Sequence, residues 1–410
     1  MSSLLPALRA NLDFMPSPVP DRPGLLLRDP FRYSESVIII PPPLVPLLAF
    51  FDGQHAELDL HETLVRMTGD LRVGEIVRHV VETLRQGGFL QDEVLDRLKE
   101  ARHRDFAAAA AREAVHAGSA YPLEVPALRE TLGRYLDGAA APPADGLVGI
   151  AAPHVSPEGG WRSYRAAYAA LAPAHADRTF VILGTSHYGE PERFGLTFKP
   201  YLTPLGATTV DREVVETLVA DGGPAVTVED YCHAVEHSIE FQVVFLQYLF
   251  GAAVRIAPVL CGPFARGTTV DRLPEENAGV GRFLAALSAL AARRRGSLMW
   301  VLGVDMAHVG RRYGDRFVAR TGTPEMKDIE QRDRRRIERV AAGDAAGFWA
   351  QVREGGDLLR WCGASPIYAF LRAVAGARGE LLHYEQWNID RESVVSFAGL
   401  AFREGPPNRS

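Results

Sequence analysis

The chain has 410 residues, a formal net charge of −6 and a sequence pI near 6.1. That length allows two or three domains, and the acidic balance argues against a clustered basic nucleic-acid face. Three scattered cysteines, Cys232, Cys261 and Cys362, build no disulfide framework, and a reducing cytoplasm is the expected setting.

Residues 1–23 are proline-punctuated and are expected to be loosely ordered. They lack a basic stretch followed by a continuous apolar core, so no signal peptide is expected. The most apolar window, SVIIIPPPLVPLLAFF at 36–51, is broken by prolines. It falls short of the roughly 18 unbroken apolar residues of a membrane-spanning helix. A strand, a proline turn and a short helix fit it better. Residues 24–137 otherwise carry apolar positions at helical spacing, with Gly87-Gly88 as a stop, and read as a mainly helical or winged-helix domain. The Ala/Pro/Gly run at 138–146 reads as a linker, and 147–403 as a second domain.

The second half changes rhythm. Apolar runs at 147–153, 179–185, 195–198, 254–260, 298–304, 380–387 and 394–402 read as strands. Helical patterns at 159–171, 211–220, 237–250, 278–294, 326–342 and 365–376 separate most of them. Near-continuous apolar strands alternating with helices predict an α/β fold: a mostly parallel sheet with helices on both faces. The last two strands predict an antiparallel hairpin at the sheet edge.

In such a sheet, ligands bind beyond the carboxyl ends of the strands. His154 follows the first strand, His187 the second, and Asp305 and His308 the strand at 298–304. Glu236 and His237 open the predicted helix at 237, with His233 one turn earlier. Five of the twelve histidines fall in these four segments, which favours a common cleft over scatter. Singly, each has a bland alternative: a histidine or Glu236 can cap a helix or bond a loop carbonyl. Together they suit a metal site, since neutral imidazoles from separate strands are good ligands for a borderline divalent ion. His154 and His187 are the candidate ligands. His237 is the candidate acid–base group, with Glu236 or Asp305 orienting an imidazole. Glycines 159, 160, 184 and 189 would let backbone approach a ligand closely.

APHVSPEGG, ILGTSHYG, TPLG, EHSIE, VDMAH, CGASPI and SVVSFAGLAF stand in the order seen in the Memo family. The chain from about 146 to 403 resembles a complete Memo domain. The resemblance implies a fold like that of class III extradiol dioxygenases, which hold non-haem Fe(II) and use a further histidine for proton transfer. Carried over, His154 and His187 match the metal histidines and His237 the acid–base histidine. The family label AmmeMemoRadiSam system protein B implies association with a radical-SAM protein and an AMMECR-type protein. At the position where some members carry a cysteine ligand, this chain has Ala307. His308 or Asp305 then completes the metal site, or Cys232 supplies a thiolate, or the metal is held weakly or not at all. Fe(II) is the expected ion, with zinc or copper as alternatives. The N-terminal pattern is similar to PqqD-like winged-helix modules, which recognise peptides by strand addition.

The expected function is metal-dependent oxygenase or redox chemistry on a small molecule or modified peptide. The alternative is a non-catalytic ligand- or peptide-binding component beside a radical-SAM enzyme. A metal-dependent hydrolase would share the ligand set but needs a second metal or a bound nucleophilic water. No nucleic-acid or membrane partner is expected, and the sequence sets no oligomeric state.

Overall fold

A computed structural model describes residues 4–138, 146–264 and 272–405. The chain divides into two compact units, Met1–Ala108 and Ala109–Ser410. The division lies upstream of the predicted linker, most of which, 139–145, falls outside the described residues. The reason is burial. The helix Val125–Leu136 sinks Leu128 and Leu132 into one apolar cluster with Leu147, Ile150, Tyr164 and Tyr168 of the second unit. The segment 109–137 therefore belongs to the second unit rather than to the first.

The first unit opens with an antiparallel sheet of Asp13–Pro16, Leu25–Arg28 and Val37–Ile40, in that order. A 3-10 helix, Pro42–Phe50, follows, then the helices Glu57–Thr68, Gly74–Gln86 and Glu93–Ala108. The apolar window at 36–51 is thus a strand, a proline turn and a short helix. Contrary to the expectation for residues 1–23, this stretch is built into the unit from residue 4 onward. Leu5 and Leu12 join its core, and buried Arg9 pairs with Asp29 at 2.9 Å. Proline content hid this because the anchoring contacts are long-range. Among the described residues no helix is long and apolar enough to cross a membrane.

The second unit is organised by a ten-stranded sheet. Its centre is four parallel strands, in the order Arg255–Cys261, Thr179–Thr185, Leu298–Gly303 and Leu147–Ala152. Side chains alternate across a strand, and here both faces are apolar. Val181 and Leu183 pack on one side with Phe283 and Leu287 of the helix Ala278–Arg293 and Phe370 of Ala364–Ala373. Phe180 and Ile182 pack on the other with Tyr164 and Tyr168 of Pro157–Tyr168 and Phe245 of Glu240–Phe250. The fold is α/β with helices on both faces, as the sequence pattern predicts. The closing strands Arg378–Asn388 and Ser393–Arg403 form the predicted antiparallel hairpin.

Some local features differ from the sequence reading. The helix Ala345–Arg353 is absent from it, because this helix is short and carries Gly347 in its first turn. Asp344 caps it by accepting the Gly347 N–H at 2.8 Å. The helix expected from 237 starts instead at Glu240. Glu236 is extended (φ −76°, ψ 137°), so His237 and Ser238 lie in a turn ahead of the helix.

Candidate functional site

His154, His187 and Asp305 each stand two residues beyond the end of a central parallel strand, at Ala152, Thr185 and Gly303 respectively. Three neighbouring strand ends therefore open on one cleft, the place where open α/β sheets hold ligands. The turn at 236–239 closes it. Gly303 permits that approach: a Cβ there would meet the Ser238 carbonyl oxygen at 2.2 Å. Ser238 Oγ donates to the Thr185 carbonyl at 2.7 Å, and Gln242 Nε2 to the Pro153 carbonyl at 2.8 Å.

The rings of His154, His187 and His237 meet in this cleft. Their centroids lie 4.9, 5.1 and 5.0 Å apart pairwise. Each offers a ring nitrogen within 4.8 Å of the others. His154 is buried, whereas the His187 and His237 side chains are 28% and 26% exposed, so the cleft opens on their side.

Each ring is held from behind. The Nδ1 of His154 lies 2.9 Å from the Gly303 carbonyl oxygen, to which it donates. Glu236, fully buried, lies 3.1 Å from Nδ1 of both His187 and His237. The same carboxylate accepts the backbone N–H groups of His187 and His237 at 2.8 Å and of Ser238 at 3.1 Å. With Nδ1 engaged on every ring, Nε2 is the nitrogen left for the cleft. This carboxylate–imidazole pattern is the one that orients histidine ligands.

Cys362 is the residue that sequence reasoning missed. Its Sγ lies 3.3 Å from His154 Nε2 and 3.6 Å from the Asp305 carbonyl oxygen. The cysteine sits in the turn before the helix Ala364–Ala373, where Gly363 N donates to the Asp305 carbonyl at 3.1 Å. Gly363 is needed there: a Cβ would meet Val304 Cβ at 2.5 Å and the Asp305 oxygen at 2.8 Å. The available signal was CGASPI, where the cysteine precedes that glycine.

Asp305 supports His154 from the other side, its Oδ1 accepting the His154 backbone N–H at 2.9 Å and its Oδ2 lying 3.5 Å from Nε2. His308 is not part of the three-imidazole group. Its Nδ1 lies 2.9 Å from the Met306 carbonyl, and its ring stands 5.1 Å from that of Tyr313. Ala307 gives its N–H to Ser396 Oγ at 2.8 Å. Cys232 is half-buried beside Asp230, and its burial and that carboxylate push the thiol far up, away from thiolate.

Charge in the cleft is arranged in opposed pairs. Burial works against protonation of His154, but Asp305 and the Cys362 sulfur outweigh it and hold the ring near pKa 9. Burial likewise opposes ionisation of Cys362, yet His154 foremost, then His308, brings the thiol well below its ordinary value. Burial raises Glu236 less than His187 and His237 lower it, so its carboxyl falls well below the usual range. The His237 pKa falls as well, because burial outweighs Glu236 and favours the neutral ring.

The fold and this cleft define an α/β protein with a histidine–cysteine cluster at the carboxyl ends of its parallel strands. The profile of the Memo-like protein family matches residues 112–401, and the chain belongs to that family. The match begins just inside the second unit. A MEMO1 family protein of Aquifex aeolicus is 28% identical over 386 residues, covering 92% of this chain and 95% of that one. One of Methanosarcina barkeri is 28% identical over 295 residues, covering 70% and 98%. One of Thermococcus kodakarensis is 31% identical over 255 residues, covering 59% and 80%.

Proposed function

We propose that the chain is a metal-dependent redox protein whose cleft holds one thiophilic ion. The observation that carries this reading is the placement of Cys362 Sγ 3.3 Å from Nε2 of His154, one of the three grouped imidazoles. The donor set fits an ion: imidazoles with their outer nitrogens engaged, one sulfur brought toward thiolate, and an opening on the His187–His237 side.

His154, His187 and Cys362 are the proposed holders. A thiolate among imidazoles shifts the preferred ion from the Fe(II) of a two-histidine, one-carboxylate site toward copper, with iron and zinc as competitors. A copper or iron ion held there would supply one-electron chemistry to a bound small molecule or modified peptide.

The chain's own residues do the rest. Glu236 fixes the tautomers of His187 and His237 by accepting their Nδ1 hydrogens. His237, neutral and a quarter exposed, offers Nε2 to accept a proton from a substrate entering the open side. Asp305 holds the His154 backbone and keeps its ring facing the sulfur.

The test is metal analysis of protein purified without oxygen, for the wild type, His154→Ala and Cys362→Ser. About one copper or iron per wild-type chain, lost in His154→Ala and held more weakly by Cys362→Ser, supports the reading. A wild type that stays metal-free when offered each ion, or variants that hold it as tightly as the wild type, overturns it.

A further inference from the structure

Behind Cys362 lies a buried carboxylate that the cleft does not use. Asp333, on the helix Pro324–Ala341, is fully buried and receives three donors. Trp361 Nε1 donates to Oδ1 at 2.7 Å, and Ser396 Oγ and Tyr384 OH donate to Oδ2 at 2.6 and 2.8 Å. The directions are fixed by chemistry. An indole N–H only donates. Ser396 Oγ already accepts the Ala307 N–H, and the Tyr384 oxygen accepts from Gln386 Nε2 at 3.1 Å, so each hydroxyl sends its own hydrogen to Asp333.

These bonds close a ring. Asp333 holds Trp361, which precedes Cys362 and Gly363. Gly363 donates to the Asp305 carbonyl. From Asp305 the backbone runs to Ala307, which donates to Ser396, which returns to Asp333. Met306 N and the Ala307 carbonyl also pair with the Ser396 backbone, at 2.8 and 2.9 Å. The two segments that bring sulfur and carboxylate to His154 are therefore tied to one side chain.

We propose that Asp333 is a positioning residue for the cleft, fixing Cys362 through Trp361 and Asp305 through Ser396. It touches neither the imidazoles nor a substrate, and it acts only on where the thiol and Asp305 stand. Burial raises its pKa, while the three donors and Arg336 work to keep it a carboxylate.

Asp333→Asn is the informative change, since it keeps shape but turns one acceptor into a donor facing donors. The inference rests on the metal reading only for its first readout, the sulfur-to-metal charge-transfer band of the cobalt(II)-loaded chain. The expected result is a cooperative urea transition, a cobalt affinity lower by about 10-fold or more, and a band cut to less than about half. A folded variant with wild-type affinity and band overturns the proposal. If the wild type takes up no cobalt, the metal reading is judged by its own test above, and iodoacetamide labelling of Cys362 in the metal-free chains decides the present proposal. A labelling rate changed by about 5-fold or more at pH 7 in Asp333→Asn supports the proposal, because a thiol moved from its place beside His154 meets the reagent differently. Equal rates overturn it. If Asp333→Asn does not fold, Ser396→Ala is read the same way, with a smaller loss expected and an unchanged site as the contrary result.

Discussion

Cys362 Sγ stands 3.3 Å from His154 Nε2, although 208 residues separate the two in the chain. The contact exists because a strand end and a helix-capping turn meet at one point, where Gly363 lets the turn lie against Val304 and Asp305. Gly363→Ala should therefore disturb the site and the fold together. An added methyl in a packed contact costs on the order of 1–3 kcal/mol. The urea midpoint should fall accordingly, and Cys362 should label more slowly with iodoacetamide. Unchanged stability and labelling would contradict this account of the turn.

Glu236 serves two rings with one carboxylate. Glu236→Gln leaves one acceptor oxygen and sets an amide N–H against donors, so His187 and His237 cannot both stay in register. Loss of such an orienting partner typically weakens metal affinity about 10–100-fold. Copper titration of both proteins, with near-ultraviolet circular dichroism as the folding control, measures it. Wild-type affinity in a folded variant would argue that the carboxylate does not orient the rings.

The turn that carries these residues is braced by a buried cation. Arg112 pairs with Glu240, both side chains wholly inaccessible. It also donates to the carbonyls of His233 at 2.8 Å and Glu236 at 2.7 Å. Arg112→Met strands a buried carboxylate and should cost about 3–5 kcal/mol in chemical denaturation. Arg112→Met with Glu240→Leu should recover part of that loss. A double variant no more stable than the single one would show that the stranded charge was not the cause.

His116 gives the chain a pH dependence. Its ring packs 5.7 Å from His237, and burial foremost lowers its pKa from 6.5 to about 4. Between those values the unfolded chain carries the extra proton, so stability falls as pH drops from 6.5 toward 4. One pKa unit is about 1.4 kcal/mol, so the contribution lost by about pH 4 is on the order of 3 kcal/mol. His116→Gln should flatten the plot of urea midpoint against pH in that window. Parallel curves for the two proteins would refute the assignment.

Much of the cleft is legible in the sequence because its first parts are local. His154, His187 and Asp305 each follow an apolar strand directly, so strand pattern alone places them at one edge. His237 is legible as a neighbour of Glu236, although the helix start is not. Cys362 is harder: it follows no strand, and only long-range packing carries its turn to His154. The same holds for Asp333, a helix residue whose partners Trp361, Tyr384 and Ser396 lie on other elements. The domain boundary is misplaced for a related reason. A proline- and alanine-rich run marks a loop, but not whether the helix before it packs forward or back.

The most direct measurement is X-ray absorption at the metal edge of copper-loaded wild type and Cys362→Ser. The account predicts nitrogen scatterers together with one sulfur scatterer in the wild type, the sulfur shell vanishing in Cys362→Ser while nitrogen remains. A spectrum without sulfur, or one identical in the two proteins, would contradict it.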